Sequence, residues 1–500
     1  MARPAQNPPM HRESCDLLIV GAGINGAGIA RDAALRGLDV VVCERGDIAG
    51  ATSSASTKLI HGGLRYLEQG AFGLVRESLQ ERETLARIAA HLVRPQRFIV
   101  PHTGERPAWM LATGLLLYDL LAGRSTLPRS RRLRADFPLL QQMQPPVSAA
   151  HAYYDLWVDD ARLTLCTLLD AQAHGARVLP QSALSAVTAE GAHWRCTVGQ
   201  TTVLARCVVN VAGPWMNAVE TLRGAAARPV RLVQGTHIVV PRLHAGDDAW
   251  LLQQPDRRIM FVIPFADNFH LVGTTETDLP SPEALGATAA ERRYLLDALL
   301  RAFGRAPAEH EIRWEFSGMR PLIDGAGGSA RTASREYRMT MEGGRGGRGW
   351  MSIQGGKLTT HRSLAERAVD RLASFLGSNA RCVTADRLLP GAEAAGPTQR
   401  SELARTLAQR RPALSSGWIA ALVGRHGSET SRLLEQAARA GGPGRDFGGG
   451  LYEAEARWCA RYEWAHNADD VLWRRTKCGV GMSAAQRDTF ARWWADQRIG

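Results

Sequence analysis

The stretch DLLIVGAGINGAGIARDAALRG, Asp16 to Gly37, decides the reading of the fold. The run LLIV (17–20) is apolar throughout, as a strand covered on both faces requires. Gly21, Gly23 and Gly26 follow in G-x-G-x-x-G spacing and open a helix that runs to Gly37. In such a unit the first glycine permits a tight turn, the second lets backbone approach a pyrophosphate, and the third lets helix and strand pack closely. The helix N-terminus adds unpaired N–H donors and the positive end of the dipole. DVVVCE (39–44) supplies the next strand, and Glu44 at its end is placed to accept hydrogen bonds from a ribose. The expected fold class is therefore α/β, with a doubly wound, Rossmann-like nucleotide-binding half at its start.

Working outward, residues 47–68 read DIAGATSSASTKLIHGGLRYLE, dense in small residues and hydroxyls. A second Gly-rich turn, Gly355-Gly356-Lys357-Leu358-Thr359-Thr360, lies some three hundred residues on and again precedes a helix. Two such turns on either side of a β-rich insertion favour a long cofactor held at both ends, FAD over NAD. Helical periodicity marks 74–92, 289–303 and 363–376, and short alternating runs between 183 and 212 suggest an antiparallel ribbon. Strand candidates fill 229–278, and beyond about 389 the patterns are helical.

Composition excludes several classes. Of 500 residues, 61 are basic and 49 acidic, leaving +12, which rules out an acidic disordered chain and permits an anionic partner. Only Lys58, Lys357 and Lys477 are lysines, so the excess is a bias toward arginine and each lysine is the more informative residue. The eight cysteines form no CxxC and no zinc spacing, which reads as reduced thiols with no metal centre and no iron–sulfur cluster. The N-terminus lacks an apolar signal core, and the longest apolar run, 109–122, is too short to span a bilayer. Interleaved aromatic–basic motifs are absent, so nucleic acid is not expected as a partner.

These residues closely resemble the FAD-dependent, aerobic respiratory glycerol-3-phosphate dehydrogenases. The matching stretches run in order: DLLIVGAGINGAGIARDAALRG, ATSSASTKLIHGGLRYLE, RPAWM, WVDDARL, NVAGPW, GTHIVVPR, FVIPF, GTTETD, SGMRPL, GGKLTTHR and DDVLWRRTKCG. The resemblance implies an FAD-binding domain of the D-amino-acid-oxidase type, an antiparallel β-rich substrate domain and an all-α C-terminal domain. Their expected bounds are 14–228 (completed by 350–378, with 101–145 facing substrate or membrane), 229–349 and 390–500. It further implies oxidation of sn-glycerol 3-phosphate to dihydroxyacetone phosphate, with electrons passed to a membrane quinone. The expected location is cytoplasmic, attached to the inner face of the cytoplasmic membrane through an anionic surface; RSRRLR (129–134) beside the apolar run suits that. A homodimer is left open. The rival readings are a glycerophosphate oxidase that reduces oxygen and a related FAD-dependent amino-acid or amine oxidase.

Carried over motif by motif, the cofactor set is Gly21, Gly23, Gly26, Glu44, Thr52, Ser53, Ser54, Lys58, Leu59, His61, Gly63, Gly213, Gly356, Lys357, Leu358 and Thr359. The substrate set is Arg65, Tyr66, His237, Arg320, Arg335, Lys357 and Thr359. A phosphate dianion wants guanidinium forks, which Arg320 and Arg335 offer. Lys357 is suited to stabilising developing negative charge on the flavin or the substrate oxygen. His237 is the expected base, because neutral imidazole accepts a proton near neutral pH. Arg65 is the expected orienter of the hydroxyl, being too basic to accept its proton.

Overall fold

A computed structural model describes residues 11–323, 337–344, 346–393 and 396–497. β1 (His11–Val20), α1 (Ile24–Leu35) and β2 (Val40–Cys43) form the unit read from residues 16–44. β1 lies between β2 and Thr201–Asn210; Gly349–Gln354 and Arg177–Leu179 extend the row on either side, all parallel. Leu17, Leu18 and Ile19 are completely buried, as the centre of a sheet covered on both faces demands. The ribbon Leu184–Glu190 and His193–Val198 pairs antiparallel onto Thr201–Asn210.

A second, mixed sheet of ten strands is organised on Val230–Pro241, which pairs antiparallel with Trp314–Ile323 and with Phe269–Gly273. The chain enters this sheet far ahead of residue 229. Leu59–Ile60, Val93–Pro101, Arg131–Arg134 and Ala149–Val158 all belong to it, joined where Phe98 and Ile99 pair with Ala249 and Trp250. The two sheets are thus crossed and recrossed by one chain, and no single insertion separates them.

α2 (Phe72–Ile88) and α3 (Ala108–Ala122) connect strands of the second sheet. α4 (Asp160–Ala173) returns to pack beside α1 against the first. Helix Ala289–Phe303 carries a capping box at Thr288 and Glu291 and lays Leu295, Ala298 and Leu299 against the second sheet. Beyond 396 the described chain is helical apart from an isolated bridge between Asp446 and Tyr452, with its own apolar cores. Among the described residues no helix is long and apolar enough to cross a membrane.

Candidate active site

The turn after β1 is built for an anion. No side chain caps α1 at Gly23, so its first N–H groups are left to outside partners. Ile24 N donates to Ser53 Oγ at 2.9 Å, and Ala22 N to Glu44 Oε2 at 2.9 Å. A Cβ on Gly26 would stand 2.0 Å from the Gly21 carbonyl oxygen, so only glycine lets α1 seat this closely. The second Gly-rich turn docks on the first: Asn25 Nδ2 donates to Gly355 O at 3.1 Å. Gly356, at φ +98°, has no room for a Cβ, which would meet Asn25 at 2.7 Å. Two turns 330 residues apart thereby share one seam.

Between the sheets opens a cleft of about 760 Å³, within the usual range for small-molecule sites. From the expected cofactor set, Gly21, Gly23, Glu44, Thr52 and Ser53 line it on the first-sheet side. Leu59, His61, Gly213 and the turn Gly356 to Thr359 line it as well. From the expected substrate set it receives Tyr66, Arg320, Lys357 and Thr359. The side chain of Arg65 and the whole of Arg335 lie outside the described residues.

Five expected residues stand off the cleft wall, each for a physical reason. Gly26 is the packing glycine described above. Ser54 turns its hydroxyl to Ala51 O at 3.3 Å. Gly63 sits in a left-handed turn against the Tyr66 ring, and Gly62 N donates to Tyr118 Oη of α3 at 2.7 Å. Lys58 is fully buried behind the wall, pairing with Asp160 Oδ1 at 2.7 Å and donating to Ser54 O at 3.0 Å. His237 is 1% exposed and lies behind Thr57, whose Oγ1 is 3.0 Å from Nε2.

Thr57 was not among the expected site residues, yet it lines the cleft where His237 does not. Its only signal was membership of the hydroxyl-rich run. Asp160 was missed too. It accepts from Lys58, from Ser56 N at 3.1 Å and from Ser56 Oγ at 2.7 Å, so it holds the whole loop 54–58 in place.

The electrostatics favour anions. Lys357 Nζ sits 3.8 Å from the centroid of the Tyr66 ring, a cation–π seat that leaves the ammonium at the cleft. Burial, followed by the charges of Arg320 and Lys58, pushes the His237 imidazolium well below its ordinary range. The ring is therefore neutral, stacked on Phe316 at 5.1 Å. No group of three or more potential metal ligands occurs among the described residues. The uncapped helix end, the carboxylate at the close of β2 and the glycines that admit no Cβ suit a dinucleotide diphosphate. The cleft cations suit a second anion beside it.

The FAD dependent oxidoreductase family matches residues 16–362, and the C-terminal domain of alpha-glycerophosphate oxidase matches 382–492. The chain belongs to the FAD-dependent glycerol-3-phosphate dehydrogenase family. It is 39% identical over 500 residues to the aerobic glycerol-3-phosphate dehydrogenase of Escherichia coli, covering 97% of this chain and 99% of that one. It is also 39% identical over 502 residues to the D-erythritol 1-phosphate dehydrogenase of Brucella abortus, with the same coverage. The glycerol-3-phosphate dehydrogenase of Bacillus halodurans, solved with FAD, superposes at a TM-score of 0.72 with 26% identity, over 97% of this chain and 90% of that one. Family membership makes this protein an FAD-dependent oxidoreductase with a D-amino-acid-oxidase type fold.

Proposed function

We propose that the protein oxidises the C2 hydroxyl of sn-glycerol 3-phosphate to the ketone of dihydroxyacetone phosphate and passes the electrons on to a membrane quinone. The observation that carries this reading is the cationic cleft, where Arg320 and Lys357 face one cavity with the dinucleotide cradle. The near-full-length similarity to dehydrogenases of polyol phosphates supports the same substrate class.

FAD, when bound, supplies the acceptor for the hydride leaving C2. The chain's residues do the rest. Arg320 binds the phosphate as a fork, and Arg65 and Arg335 are proposed to join it. Lys357 stabilises negative charge that grows on the substrate oxygen as its proton departs. That proton passes to Thr57 Oγ1, which hands its own to His237 Nε2 across the 3.0 Å contact.

Attachment to a membrane is supported by α3. Leu111, Leu115 and Tyr118 face inward, while Trp109, Leu116 and Leu120 are 71%, 60% and 65% exposed. This outward stripe, with exposed Arg129, Arg131, Arg132 and Arg134 beside it, has the make-up of a helix lying in an anionic interface. Serine at Trp109, Leu116 and Leu120 is expected to abolish binding to anionic vesicles; unchanged binding would remove α3 from that role.

The equal identity to the erythritol-phosphate enzyme supports a second reading, in which the substrate is a four-carbon polyol phosphate. Turnover with a quinone analogue separates the two: glycerol 3-phosphate is expected to give the higher kcat/KM. A higher value for D-erythritol 1-phosphate would establish the second reading, and turnover with oxygen alone would make the protein an oxidase.

A further inference from the structure

One short segment of the helical tail reaches the back of the cleft. Asp470–Arg475 forms a single π-helical turn, a geometry that is rare and recurs at functional sites. Arg475, 1% exposed, forks onto both oxygens of Asp47 at 2.6 and 2.7 Å, and Arg474 pairs with the same carboxylate. Asp47 lines the cleft three residues beyond Glu44. Lys477, at φ +60°, pairs with Asp159, whose carboxylate also caps α4 through Arg162 N at 3.1 Å. The next residue, Asp160, is the one that holds Ser56 and Lys58. Trp473 stacks on Trp314 at 5.2 Å, Trp314 lies 4.6 Å from Phe316, and Phe316 stacks on His237.

Three walls of the cleft are therefore backed by eight residues of tail: the nucleotide side through Asp47, the hydroxyl loop through Asp159 and Asp160, and the aromatic column behind His237. Val471 and Leu472 of the same turn sit in a core of the tail, and Trp473 packs on that core as well as on the core beneath the second sheet, so the segment ties the two together. Buried ion pairs contribute little net stability against an apolar seam, but removing one partner leaves an uncompensated charge. Two adjacent buried carboxylates, Asp159 and Asp160, are each matched by one lysine, Lys477 and Lys58. Burial alone would push the Asp159 carboxyl up; the Lys477 and Lys58 charges hold it below its ordinary range.

We propose that Lys477 is a positioning residue for the cofactor cleft, neutralising Asp159 so that Asp160 remains free to hold the loop Ser54–Lys58 against the site. The helical tail is then part of the FAD site and not a separate module. This rests on the FAD-dependent family and is independent of which polyol phosphate is oxidised.

The test uses full-length holoenzyme and three variants: Lys477→Met, Lys477→Arg, and Lys477→Met combined with Asp159→Asn. The readouts are the flavin dissociation constant and the visible circular dichroism of bound flavin. Lys477→Met is expected to weaken flavin binding by at least about tenfold and to alter the dichroism, with Lys477→Arg close to wild type. Removing the orphaned charge in the double variant is expected to restore affinity to within about threefold, since asparagine still caps α4. Wild-type affinity in Lys477→Met overturns the proposal, and so does a loss that the double variant fails to recover. If Lys477→Met does not fold, the double variant alone decides by the same threshold. A loss of turnover with unchanged flavin affinity and dichroism would likewise leave Lys477 without a positioning role at the flavin, and it bears on neither reading of the substrate.

Discussion

Lys58 and Lys357 both follow Gly- or Ser-rich turns beside the same cleft, and they meet opposite environments. Behind Lys58 stands Asp160, so its ammonium turns inward, fully buried, and joins the wall. Lys357 sits over the Tyr66 ring at the cleft itself. Whether a carboxylate lies behind the turn decides if a cation builds the site or serves the ligand. The same rule places the third lysine: Lys477 meets Asp159 and stays a step further back.

The comparison can be broken by exchanging the two outcomes. Lys58→Met leaves Asp160 buried and unneutralised, a loss of about 3–5 kcal/mol. It should appear as a lower Tm and as flavin lost during purification. Lys357→Met should leave Tm and flavin content unchanged while lowering kcat/KM by roughly ten- to a hundredfold. A stable, flavin-replete Lys58→Met enzyme, or a flavin-free Lys357→Met enzyme, would reverse the assignment. The smallest effect concerns pH. Because burial and the neighbouring cations depress the His237 pKa, the ring stays neutral as pH falls through the ordinary imidazole range. Flavin reduction at saturating substrate should accordingly be flat from about pH 5.5 to 7.5. An acid limb near the ordinary value, about 6.5, would show that His237 titrates freely.

Much of this was legible in the sequence because it is local. The strand, glycine turn, helix and acid of 16–44 carry their own spacing, and the helix at 289–303 carries its period and caps. The second sheet was less legible. Val93–Pro101 joins it by pairing with Ala249 and Trp250, and Ala149–Val158 by pairing with Val93–Pro101, contacts that leave no periodic trace in either segment. Within the site, the glycines and Glu44 could be read from the motif, while Thr57 was hidden among interchangeable hydroxyls. His237 was readable as a residue but not as one standing behind another. The acids that answer the lysines were least legible of all: Asp160 is 102 residues from Lys58 and Asp159 is 318 from Lys477.

The central claim is that a flavin and a phosphate-binding cation site share one cleft and serve one oxidation. Anaerobic stopped-flow absorbance of the holoenzyme tests it most directly. Glycerol 3-phosphate should bleach the visible flavin band in a single rapid phase, and D-alanine and glycine should leave it unchanged. Bleaching by D-alanine, or a band that dithionite bleaches and glycerol 3-phosphate does not, would contradict the account.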